Sequence, residues 1–156
     1  LRAALTQVRF HRDEHAKGKP TVHAATSITA LLEHYTGVYL ADEEGPPWLL
    51  AGREAIVTAV RHALVTADTV LKGESDELLV PALERALVAD PTSEDLAQAL
   101  MRAYLRGGRN SEVLRTYRRL REMLSLLLGV APSVESEHIR DQAYAAESKS
   151  GVKQLG

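Results

Sequence analysis

At 156 residues, 45% apolar and 26% charged, the chain suits one packed domain or a short helical array of ordinary globular composition. A formal net charge of -2 excludes the overall basic balance of a free-standing nucleic-acid binder. The lack of cysteine excludes disulfides and thiolate metal sites and fits a cytoplasmic protein, and no apolar run reaches the roughly 18 residues of a membrane span.

The chain opens on Leu1-Arg2-Ala3 with no initiating methionine and no signal-peptide pattern, so it is expected to be a piece of a longer protein. Leu1, Leu5, Val8 and Arg12 then define a first helix that Gly18 and Pro20 end. A second helix, over residues 26–35, carries Ile28, Leu31, Leu32 and Tyr35 and stops at Gly37. Asp42-Glu43-Glu44-Gly45-Pro46-Pro47 is a rigid loop, because two prolines cannot continue a helix, and Pro47 suits the first turn of the next one. The acids of that loop favour the positive end of the following helix, and Trp48 is expected to pack its start against residues 35–39.

That third helix is long, from about residue 48 to residue 71. Leu49, Ile56, Val60, Leu64, Ala67 and Leu71 recur along it at three-, four- and seven-residue steps. Gly73 ends it. Ser75 caps a successor carrying Leu79, Leu83, Ala86 and Leu87, with Pro81 expected in its first turn. After Asp90-Pro91, Thr92 is the expected N-cap of a fifth helix, with Glu94 and Asp95 in the first turn where the dipole favours acids.

Leu96, Ala99, Leu100, Ala103 and Tyr104 form the buried stripe of this fifth helix. Beyond Gly107-Gly108, Asn110 or Ser111 is the expected cap of a sixth, with Val113, Tyr117, Leu120, Leu124 and Leu127 facing inward. Gly129-Val130-Ala131-Pro132 breaks it, Ser133 caps a last helix to about residue 146, and residues 149–156 read as a flexible tail. No segment alternates with period two, so the expected fold class is all-α.

A helix pair with a glycine turn needs neighbours to bury its apolar face, and stacked pairs of this kind are solenoid units. Against the tetratricopeptide period of roughly 34 residues, counting from Glu94 puts Tyr104 and Tyr117 at the aromatic positions and Gly108 at the turn. Val113 and Leu120 replace the usual small residues of the second helix. The expected architecture is a short right-handed α-solenoid of antiparallel, tetratricopeptide-like pairs, about seven helices in one domain over residues 1–148.

At these residues the chain resembles a known family. ALERALVADPTSEDLAQALMRAYLRGGRNSEVLRTYRRLREMLSLLLGVAPS is similar to the bacterial transcriptional activator domain of SARP-type regulators. YLADEEGPPWLLAGREAIVTAVRHAL resembles the opening segment of such domains, and the two stretches together fall within residues 39–146. The resemblance implies a non-catalytic regulatory domain that packs against a DNA-binding domain, pairs with a second copy, or engages transcription machinery. No winged-helix unit is legible ahead of it, so direct DNA contact by this chain is not expected. A tetratricopeptide-type adaptor for peptide tails, unrelated to transcription, stays open as the alternative.

Gln98, Arg102 and Arg106 lie four residues apart and opposite the buried stripe, which predicts one solvent-facing row. The tetratricopeptide resemblance places Asp95, Gln98, Arg102 and Arg106 at concave, groove-lining positions, as candidates for binding a partner. An arginine fork can hold a carboxylate or phosphate through two parallel bonds. The competing reading is a solvated surface with local ion pairs, such as Glu122 with Arg118 and Arg119. Arg115, Arg118 and Arg119 belong to the second helix of the pair, usually the convex side. His11 and His15 sit one turn apart but have no third ligand nearby, and no nucleophile, phosphate-loop or metalloprotease motif occurs. No catalytic residue, metal or cofactor is therefore expected.

Overall fold

The structure is a computed structural model, described for residues 47–71 and 76–153, with side chains described at residue 54 and over residues 57–69 and 76–148. The first two expected helices, the acidic loop, the Trp48 side chain, Ser75, His11 and His15 lie outside the described residues. Five helices make up what is described: α1 (Pro47–Leu71), α2 (Asp76–Ala89), α3 (Glu94–Arg106), α4 (Asn110–Leu128) and α5 (Val134–Lys153). The all-α expectation holds, with no strand among the described residues. The chain divides into two compact units, Leu1–Ala89 and Asp90–Gly156.

In the first unit α1 packs on α2. Val60, Ala63, Leu64 and Ala67 bury one stripe of α1, and Leu79, Ala82, Leu83 and Ala86 bury one stripe of α2. Both stripes follow the three- and four-residue steps that a helix face requires. Pro47 is the first residue of α1, as its fixed φ and missing N–H predict. Pro81 departs from expectation: it is the sixth residue of α2, inside the helix rather than in its first turn. Its ring removes only the bond that an N–H there would give to the Glu77 carbonyl, close to the helix start. Leu79, Ala82 and Leu83, all fully buried around it, keep the helix continuous.

In the second unit α3 packs on both α4 and α5, which also pack on each other. Leu96, Ala99, Leu100, Ala103 and Tyr104 are buried as expected, and so are Ala97 and Met101. The chain leaves α3 through a Schellman turn. Gly108 takes the left-handed conformation (φ 68°), its N–H reaches the Leu105 carbonyl at 3.0 Å, and the Arg109 N–H reaches that of Tyr104 at 2.9 Å. The side-chain contact that usually closes such a turn is here a cation over a ring, with the Arg109 guanidinium 4.5 Å from the Tyr104 centroid. So short a connection lays α4 antiparallel to α3.

Three expected end positions shift. Ser93, not Thr92, occupies the N-cap of α3. Thr92 Oγ1 instead donates to Asp90 at 3.2 Å. Arg109 precedes α4 in place of an Asn110 or Ser111 cap, and its guanidinium reaches Glu112 at 3.1 Å. The last helix extends to Lys153 rather than ending near residue 146. Leu127, expected on the inner face of α4, is 62% exposed. The length mismatch explains it: α4 has 19 residues and α3 has 13, so at a rise of about 1.5 Å per residue α4 overhangs by about 9 Å.

Candidate functional site

The polar groups of the second unit converge where α5 begins. Ser133 starts the helix as expected: its carbonyl accepts the Glu137 N–H at 3.1 Å and its Oγ accepts the Ser136 N–H at 3.4 Å. Glu94, the first residue of α3, reaches across to this cap. One of its oxygens accepts the Ser133 N–H at 2.8 Å and the Ser136 hydroxyl at 2.7 Å. One turn further along α3, the Gln98 amide donates to the Ser133 and Ser136 hydroxyls at 3.1 and 3.0 Å. Ser136 is fully buried, so these bonds satisfy a hydroxyl that would be costly to leave unpaired.

Desolvation pushes the Glu94 carboxyl up. The Ser133 N–H and the Ser136 and Ser133 hydroxyls together outweigh it and hold the group below its ordinary value. The positive end of α5 favours the same charged form. Glu94 therefore serves the next helix as well as its own first turn.

A second tie joins α4 to α5. Arg140 donates to the buried Tyr117 hydroxyl at 2.9 Å, and its guanidinium lies 4.8 Å from the centre of the same ring. Glu137 and Asp141 flank that guanidinium at 3.7 and 2.7 Å. The Asp141 hydrogen bond leads the influences that raise the Arg140 pKa.

The four groove candidates divide along α3. Asp95 accepts the Leu96 N–H at 3.0 Å and a hydrogen bond from Ser93 Oγ, which places its carboxylate in the first turn of its own helix. Gln98 is committed to the α5 cap. Arg102 approaches Glu135 of α5 at 3.9 Å, with both side chains partly in solvent. Only Arg106, at the end of α3, is exposed. The row is thus half covered, with α5 over its N-terminal part. Sequence reasoning did not find Glu94, Ser133 and Ser136 as one cluster. They lie about 40 positions apart, beyond any local capping rule, and the one visible signal was Ser133 as a helix start.

The ion pair expected between Glu122 and Arg118 or Arg119 is not made. Arg118 Nε donates to the Leu114 carbonyl at 3.3 Å instead. Among the described residues no three His, Asp or Glu side chains gather as metal ligands, and no helix is long and apolar enough to cross a membrane.

Fold and site together define an all-α module whose organised polar groups fix one helix to the next. Residues 1–142 match the family described as the bacterial transcriptional activator domain, and the chain belongs to that family. The match reaches well upstream of residue 39, where the sequence resemblance begins. This is a family of regulatory domains, and the chain is a domain of transcriptional-regulator type. No curated protein and no solved structure matches the chain.

Proposed function

We propose that this chain is a non-catalytic, cytoplasmic control module of a bacterial transcriptional regulator, acting by contact between helix faces. The match over residues 1–142 carries the reading. Its partners are the regulator's own DNA-binding domain, a second copy of the chain, or the transcription machinery, and it makes no direct contact with DNA. The pairing of α3 and α4 through the Gly108 turn supports a tetratricopeptide-like arrangement, extended through residues 1–148 as a short solenoid. With Gln98 engaged by α5, the part of the groove row that serves partners is its C-terminal end, Arg102 and Arg106.

The test compares the tagged chain with its Arg102→Glu/Arg106→Glu variant, presented to an untagged second copy, to the regulator's DNA-binding domain and to bacterial RNA polymerase. Wild type retains at least one of the three, and the variant loses it. Thermal unfolding stays nearly unchanged, because an exposed pair such as Arg102–Glu135 contributes at most about 1 kcal/mol. Undiminished retention by the variant removes the groove row from this reading.

A further inference from the structure

α5 is held differently from the two helices it packs on. α3 buries seven residues and α4 four, among them Tyr104, Tyr117 and four leucines. Between residues 134 and 148, α5 buries only Ser136, Ile139 and Ala143, one narrow stripe whose single large apolar side chain is Ile139. No residue from 144 to 148 is buried, so the stripe stops at Ala143, well short of the helix end at Lys153. The rest of the hold is polar. Glu94 and Gln98 of α3 grip the turn from Ser133 to Ser136. Arg102 approaches Glu135, and Arg140 ties the middle of α5 to Tyr117 of α4.

We infer that α5 is a detachable cover: it leaves as a unit while α3 and α4 stay paired, and its departure uncovers the row from Gln98 to Arg106. Polar ties are exchanged on opening for bonds to water at small net cost, whereas apolar surface gains nothing from water. α5 therefore opens at a lower free energy than the α3–α4 pair. The pair is also closed at its ends by its own groups. Asp95 accepts the Leu96 N–H in the first turn of α3, and the Gly108 turn joins α3 to α4. At the end of α4, the Gly129 and Val130 N–H groups reach the Ser125 and Leu124 carbonyls at 3.2 and 3.3 Å. None of these bonds involves α5. Once detached, a polar helix of 20 residues is marginal in water, so departure and unfolding of α5 coincide. Docked, α5 takes up Gln98 and approaches Arg102, so a partner for the row competes with it. That competition rests on the groove reading above, whereas the detachment rests on burial and hydrogen bonding alone.

Hydrogen exchange of the full chain at neutral pH tests the detachment. Corrected for intrinsic rates, amides 139–143 of α5 are expected to exchange about tenfold or more faster than amides 99–104 of α3 and 117–124 of α4. Arg140 bonds Tyr117, Glu137 and Asp141 rather than the row. Arg140→Ala is expected to speed the α5 amides by about threefold or more and leave those of α3 and α4 unchanged. Tyr117→Phe, which removes the same bond but keeps the buried ring, carries the same expectation and guards against a variant that fails to fold. Equal protection in all three helices, or variants that speed all three alike, overturns the inference. In the retention assay above, Arg140→Ala is expected to hold more of the partner than wild type does. Equal retention despite faster α5 exchange would show that α5 does not guard the row. Retention of none of the three partners by either form counts against the groove reading, and the exchange rates alone then decide the detachment.

Discussion

Gly108 holds φ at 68° while its neighbour Gly107 sits at -79°, so the pair looks alike in sequence but differs in what it requires. A Cβ at Gly107 would meet the Tyr104 carbonyl at 3.6 Å, an ordinary contact, and a Cβ at Gly108 would meet nothing within 4 Å. Only the backbone conformation makes Gly108 necessary. Gly108→Ala is expected to cost about 1–2 kcal/mol. Gly107→Ala should be neutral, or stabilising by up to about 1 kcal/mol through the unfolded state. Urea unfolding of the two variants checks this, and equal losses would contradict the turn described. Cap residues were legible to within a position. Ser133 was read correctly from its place after Pro132, whereas the Thr92-Ser93 pair offers two adjacent hydroxyls, and the Asp90 carboxylate takes the first.

The elements followed from periodicity, and their ends did not. The buried stripes of α3 and α4 were readable from Leu96 to Leu124, because a helix face repeats every three or four residues whatever lies opposite. Leu127 obeys the same spacing yet is exposed, since periodicity gives the face of a helix and not the length of its neighbour. Pro81 was misplaced because the preference of proline for a first turn was given more weight than the expected cap at Ser75: α2 begins at Asp76, directly after that position, which puts Pro81 sixth. The tie between α3 and α5 was the least legible, because Glu94 and Ser136 are brought together only by the path of the chain. It carries a pH dependence. The folded-state pKa of Glu94 is depressed, so its contribution is present above the ordinary value of 4.5 and is lost as pH falls through the lower folded value. Glu94→Gln should therefore be less stable than wild type at neutral pH, with the difference shrinking on acidification below 4.5. A difference that does not vary with pH would show that the charge of Glu94 takes no part in holding α5.

For the molecule as a whole, composition and motif content bounded the function before any geometry. An acid–base balance near neutrality argues against a free-standing nucleic-acid binder, and the lack of cysteine excludes disulfides and thiolate metal sites. The family match over residues 1–142 sets the chain in transcriptional regulation. The ordered polar clusters at Glu94 and at Tyr117 are spent on fixing α5. The most direct test is to join the chain to a DNA-binding domain of known operator and place that operator beside a weak bacterial promoter. Transcription several-fold above that given by the DNA-binding domain alone is expected. Transcription no higher than that level, with the fused chain folded and the operator occupied, would contradict it.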